Sequence, residues 1–113
     1  MADRAPNGLK APGRRLWKGV TEALELDEHE RALLIEACRT ADQLDLLDEV
    51  VADEGVLVDG RAHPALVEAR QQRITLTRLV AALRLPEDLE RPELRPQRRG
   101  PRGAYGSLRA VGQ

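Results

Sequence analysis

The chain has no phenylalanine, and in 113 residues it has only one tryptophan, one tyrosine and one cysteine. Without aromatic bulk, a core has to be built from Leu, Val, Ile and Ala, which suits helix packed on helix. The single Cys38 excludes an intrachain disulfide and a cysteine metal cluster, and it fits a reducing compartment. No run of about eighteen apolar residues occurs, so no membrane span is expected. The N-terminal residues lack the apolar stretch of a secretory signal. These absences lead to the expectation of a soluble intracellular protein.

The parts of an active site are also scarce. Ser107 is the only serine, and His29 and His63 are the only histidines. A nucleophilic Ser or Cys needs a base beside it, and no spacing supplies one. Cys38 falls among apolar positions of a helix and reads as a buried structural thiol. The phosphate-cradling GxxxxGK motif is missing, so nothing argues for an ATPase. Acid pairs such as Asp45 with Asp48 or Glu49 read as a solvated face, because a catalytic dyad needs a cleft that raises one of its pKa values. No metal site, no cofactor and no enzymatic activity are expected.

What the chain does have is segregated charge. Residues 1–18 carry Arg4, Lys10, Arg14, Arg15 and Lys18 against Asp3. Residues 19–60 carry thirteen acids against Arg31 and Arg39. Residues 61–85 carry five arginines against Glu68, and residues 94–113 carry five arginines and no acid. Opposed blocks of this kind point to self-association or to a charged polymer as partner.

The apolar spacing is helical throughout the middle of the chain. After the punctuation Ala11-Pro12-Gly13, Leu16, Val20, Ala23 and Leu24 form one stripe, which predicts a first helix ending near residues 24–26. Asp27 with Glu30 is a capping-box pair, and it opens a second helix running to about Glu54 with Gly55 as its C-terminal cap. Leu33, Ala37, Thr40, Leu44, Leu47 and Val51 give that helix a seam, which Leu34, Ala41, Leu46 and Val50 are expected to widen. Val56-Leu57-Val58, then Asp59-Gly60, predicts a minimal β-hairpin or turn at residues 56–63. Pro64 suits the first position of a third helix. Its seam is Leu66, Ala69, Arg73, Leu76, Val80 and Leu83, and Leu85-Pro86 should end it. There is no internal repeat.

The expected fold is therefore mainly all-α: an antiparallel helical hairpin braced by a short N-terminal helix. Residues 1–11 read as a flexible arm and residues 12–85 as a helical oligomerisation domain. Residues 86–113, rich in Pro, Gly and Arg, read as a disordered basic tail with too little apolar surface to offset ordering entropy. A domain of this size is marginal alone, and association of identical copies supplies the missing burial.

Cationic residues carry the functional signal, since Lys and Arg neutralise nucleic-acid phosphates without reading sequence. Lys10, Arg14, Arg15 and Lys18 gather at the start of the first helix. Arg95, Arg98, Arg99, Arg102 and Arg109 lie in the tail near Tyr105, which can stack on a base. Arg73 sits where an apolar residue is expected, so an ion pair with an acid of the second helix is its first assignment. Arg70, Arg73, Asp45 and Asp48 are the ion-pair or subunit-interface candidates.

Three stretches, GLKAPGRRLW (residues 8–17), LDEHERALLIEAC (residues 26–38) and HPALVEARQQRITLTRLVAALRLP (residues 63–86), together resemble the small terminase subunits of tailed phages. They are packing and turn motifs, and their specificity comes from length and joint order. The resemblance implies a non-enzymatic, ring-forming adaptor in the host cytoplasm. Such an adaptor binds double-stranded viral DNA, and it recruits or regulates the large terminase subunit, which holds the ATPase and nuclease. No DNA-contact residue comes over with the resemblance; those candidates rest on charge alone. Without it, the residues fit a helical protein–protein interaction module or transcription co-regulator with no direct DNA contact.

Overall fold

The computed structural model describes residues 4–85. These form α1 (Ala11–Ala23), α2 (Glu28–Glu54), β1 (Leu57–Val58), β2 (Arg61–Ala62) and α3 (Pro64–Leu83). The expected mainly helical hairpin with a minimal strand pair is what the chain adopts. Glu54 meets His63, Asp48 meets Arg73, and Leu34 shares a cluster with Leu83, so α2 and α3 run antiparallel.

Local chemistry sets the boundaries. At α2 the capping box is complete, with Glu30 accepting the Asp27 N–H at 2.9 Å. Gly55 closes α2, donating its N–H to the Val51 carbonyl at 2.7 Å. In the hairpin, Asp59 and Gly60 both have positive φ, 52° and 78°, as a type I′ turn requires. That turn sets the register Leu57 opposite Ala62 and Val58 opposite Arg61. His63 caps α3: its Nδ1 accepts the Ala65 N–H at 2.9 Å, while Nε2 lies 2.7 Å from a Glu54 carboxylate oxygen. An accepting Nδ1 leaves the ring proton on Nε2, which donates to Glu54.

One of the outer helix boundaries agrees with the sequence reading and one differs. Helix α1 begins at Ala11, with Pro12 inside its first turn, where a preset φ costs nothing and its missing N–H is not needed. Helix α3 stops at Leu83, short of Leu85-Pro86, because Arg84 takes the left-handed conformation at φ 56°. The reversal turns Leu85 back against the core.

The core lies at one end of the hairpin. Leu9, Trp17, Val20, Leu24, Leu34, Cys38 and Leu83 form one buried cluster where α1 crosses the start of α2 and the end of α3. Full burial of each of Val20, Leu34 and Leu83 contributes about 1.5–3 kcal/mol. Leu9 corrects the expectation of a flexible arm over residues 1–11, since packing begins inside that segment. Residues 86–113, read as a tail, lie outside the described residues. No helix among the described residues is long and apolar enough to cross a membrane.

Candidate nucleic-acid interface

Helix α1 buries Gly13, Trp17, Val20 and Thr21. At about 100° per residue, Arg14, Arg15 and Lys18 share an arc of about 100° on the side facing away from that stripe. All three are exposed, as is Lys10 just before the helix. Arg14, Arg15 and Lys18 thus share one outward surface, with the exposed Glu22 on the same arc, while Lys10 lines a separate groove with Arg39, Asp42 and Leu46. The Arg14 guanidinium donates to the Leu9 carbonyl, which holds it against the start of the helix. Lys10, Arg15 and Lys18 make no ion pair among the described residues.

This surface is positioned by a residue that sequence reasoning missed. The α1 N-cap, Lys10, has no side chain able to accept from the helix. The buried Asp42 carboxylate of α2 takes its place, accepting the Lys10 N–H and the Gly13 N–H, each at 2.7 Å. Orphan donors at a helix start require such an acceptor, and here it comes from 29 residues away. The approach is close enough to demand glycine. A Cβ on Gly13 would lie 2.7 Å from Asp42 Oδ2 and 2.8 Å from the Cys38 carbonyl oxygen. The only sequence signal was an acid continuing the stripe Leu34, Cys38, Asp42 at four-residue intervals.

Asp42 also decides what the site can do. Helix α1 has no acid in its first turn, so side-chain cations and the positive end of the dipole add there. Two of the N–H groups at that end already face the Asp42 carboxylate, so a phosphate on this surface must be held by Lys and Arg side chains rather than by the helix terminus.

The last described residue, Leu85, lies at the same end of the molecule. Leu85 lines an open groove of about 550 Å³ together with Arg15, Leu16, Gly19 and Ala23 of α1. Arg95 is ten residues further along the chain, a reach of at most about 35 Å. Arg95, Arg98, Arg99, Arg102 and Arg109 themselves, with Tyr105, lie outside the described residues.

The remaining candidates divide. Arg73 Nη2 donates to both carboxylate oxygens of Asp48, at 2.9 and 3.1 Å, an ion pair within one chain. Arg70 and Asp45 are exposed and make no ion pair among the described residues. Cys38 is buried, and that burial, reinforced by the nearby Asp42 charge, pushes its thiol up to about 11. Such a thiol stays protonated and unreactive at neutral pH. Asp27, His29 and Glu30 bring ligand-type atoms within 4.8 Å of one another, but the two carboxylates there serve the α2 capping box.

Set against protein-family models, curated proteins and solved structures, the chain matches none.

Proposed function

We propose that this protein is a non-enzymatic DNA-packaging adaptor of the small terminase kind. It associates with copies of itself, binds double-stranded viral DNA in the host cytoplasm, and recruits or regulates the large subunit that holds the motor and nuclease. The observation that supports the DNA-binding part is the exposed cationic face of α1. Arg14, Arg15 and Lys18 face outward there, and the chain continues past Leu85, which shares a groove with Arg15, toward Arg95, Arg98, Arg99 and Arg102, which lie outside the described residues. The acidic α2 is unsuited to a major groove, so contact through phosphates is the mode that fits. The three stretches with small-terminase wording support the adaptor assignment. Each does architectural work in the fold: residues 8–17 place α1 on Asp42, residues 26–38 cap and seam α2, and residues 63–86 cap and seam α3.

Titration of duplex DNA at several salt concentrations tests the reading. Binding should weaken steeply with salt, and each lost phosphate contact should lower the slope of log K against log salt by about 0.9. Replacing Arg14, Arg15 and Lys18 by Gln, or deleting residues 94–113, should each flatten that slope. A protein that ignores duplex DNA at low salt is instead an interaction module, the reading that the residues alone also allow.

A further inference from the structure

The half of the hairpin away from α1 is a layer only two helices thick. Large apolar side chains remain exposed there, among them Val50 on α2 and Val67 and Ile74 on α3, while the exposed Leu46 borders the groove lined by Gly8, Leu9 and Lys10 at the start of α1. Helical geometry sorts them onto two separate faces. On α2, Leu44, Leu47 and Val51 lie on the half-buried side, while Leu46, Glu49, Val50 and Asp53 occupy an arc of about 100° on the other side. On α3, Ala69, Leu76 and Leu83 turn inward, while Val67, Gln71, Ile74 and Arg78 share an arc of about 60° directly opposite, with Arg70 at its edge. The two outer faces therefore look away from each other. One mixes apolar groups with acids, the other mixes them with arginines. Glu49, Asp53, Arg70 and Arg78 are exposed and make no ion pair among the described residues.

We infer that copies of this chain join head to tail, the acidic outer face of α2 in one copy docking on the cationic outer face of α3 in the next. The inference rests on the homo-oligomeric part of the proposed function and adds its interface and polarity. Within one hairpin an acid of α2 already pairs with an arginine of α3, Asp48 with Arg73, and the outer faces offer the same pairing between copies. The chain's own residues 86–113 are a poorer occupant. Their acids Glu87, Asp88, Glu90 and Glu93 and their arginines could each meet one face, but they bring few apolar residues to cover Val50, Val67 and Ile74. A second copy satisfies both faces at once, burying Leu46 and Val50 against Val67 and Ile74 as the charges pair. Because the two faces differ, the contact is heterologous: every copy added leaves one face of each kind open until a ring closes.

Two double variants, Glu49→Lys/Asp53→Lys and Arg70→Glu/Arg78→Glu, test the interface by light scattering on the full chain. All four positions are exposed, and circular dichroism checks that each variant keeps its helices. The wild type should show several times the monomer mass. Each variant alone should fall to monomer, since its two outer faces then carry the same sign. An equimolar mixture should regain the large mass, because every contact between unlike variants is complementary again. Restoration on mixing is the expected result that a merely misfolded variant cannot produce. A large wild-type assembly that both variants retain, or that only deletion of residues 94–113 dissolves, overturns this interface and leaves the adaptor reading standing. A wild type that is monomeric at every concentration overturns both.

Discussion

Gly13 and Gly19 lie in the same helix and place opposite demands on the chain. A methyl group on Gly13 meets Asp42 and the Cys38 carbonyl inside 3 Å, whereas one on Gly19 meets nothing within 4 Å. Gly13→Ala should therefore lower stability by about 1–3 kcal/mol, as overpacking does. Gly19→Ala should raise it by about 0.5–1 kcal/mol by removing helix-interior glycine. Urea denaturation of both variants measures the difference, and equal effects would mean that Asp42 does not fix the start of α1. Cys38 makes a second residue-scale prediction, through proton linkage. Its thiol is pushed up from 9.0 to about 11 in the fold, so between those values the unfolded chain has lost a proton that the folded chain keeps. Stability from this group is complete below pH 9 and falls as pH rises toward 11. At pH 10.5 the loss should be about 2 kcal/mol. Cys38→Ala removes that slope while costing some packing at every pH, so its stability deficit against wild type should narrow by that amount between pH 8 and 10.5.

The Arg73–Asp48 and His63–Glu54 contacts both link α2 to α3, and burial ranks them. Arg73 and Asp48 are both half exposed, so Arg73→Ala should cost no more than about 1 kcal/mol. His63 is buried and caps α3, so His63→Ala should cost about 1–2 kcal/mol. The cap variant should also lose hydrogen-exchange protection selectively in the first turn of α3, and uniform loss would mean that the ring acts only by packing. The elements themselves were largely legible beforehand, because their signals are local: Asp27 with Glu30, Gly55, Asp59-Gly60 and Pro64 each fix a boundary through their own backbone chemistry. Arg73 was legible too, as a cation interrupting an apolar seam beside an acidic helix. Asp42 and Leu9 were not. Both act across long sequence separations, and nothing near either one distinguishes a buried anchor from a solvated residue. Arg84 escaped for a different reason: a left-handed arginine has no propensity to announce it and is held by the return of Leu85 to the core.

The core sits at one end of a hairpin whose helices continue well past it, so stability cannot be uniform along the molecule. Around Val20, Leu34 and Leu83 several elements enclose each side chain, and opening there requires global unfolding. Farther out, Ala69 is the only fully buried apolar residue between Gln43 and Arg78. That outer half should open locally at a lower free energy, and it carries the faces assigned to contacts between copies. Association stabilises whatever it covers by mass action. Native-state hydrogen exchange at increasing protein concentration should therefore show protection rising in residues 44–54 and 65–78. Amides near Val20, Leu34 and Leu83 should change little until global unfolding dominates. A rise spread evenly over all helices would place the contact at the core end. No rise at any concentration would mean that two helices with one buried alanine between them hold together unaided. In that case the exposed Leu46, Val50, Val67 and Ile74 would have to serve a partner other than a second copy.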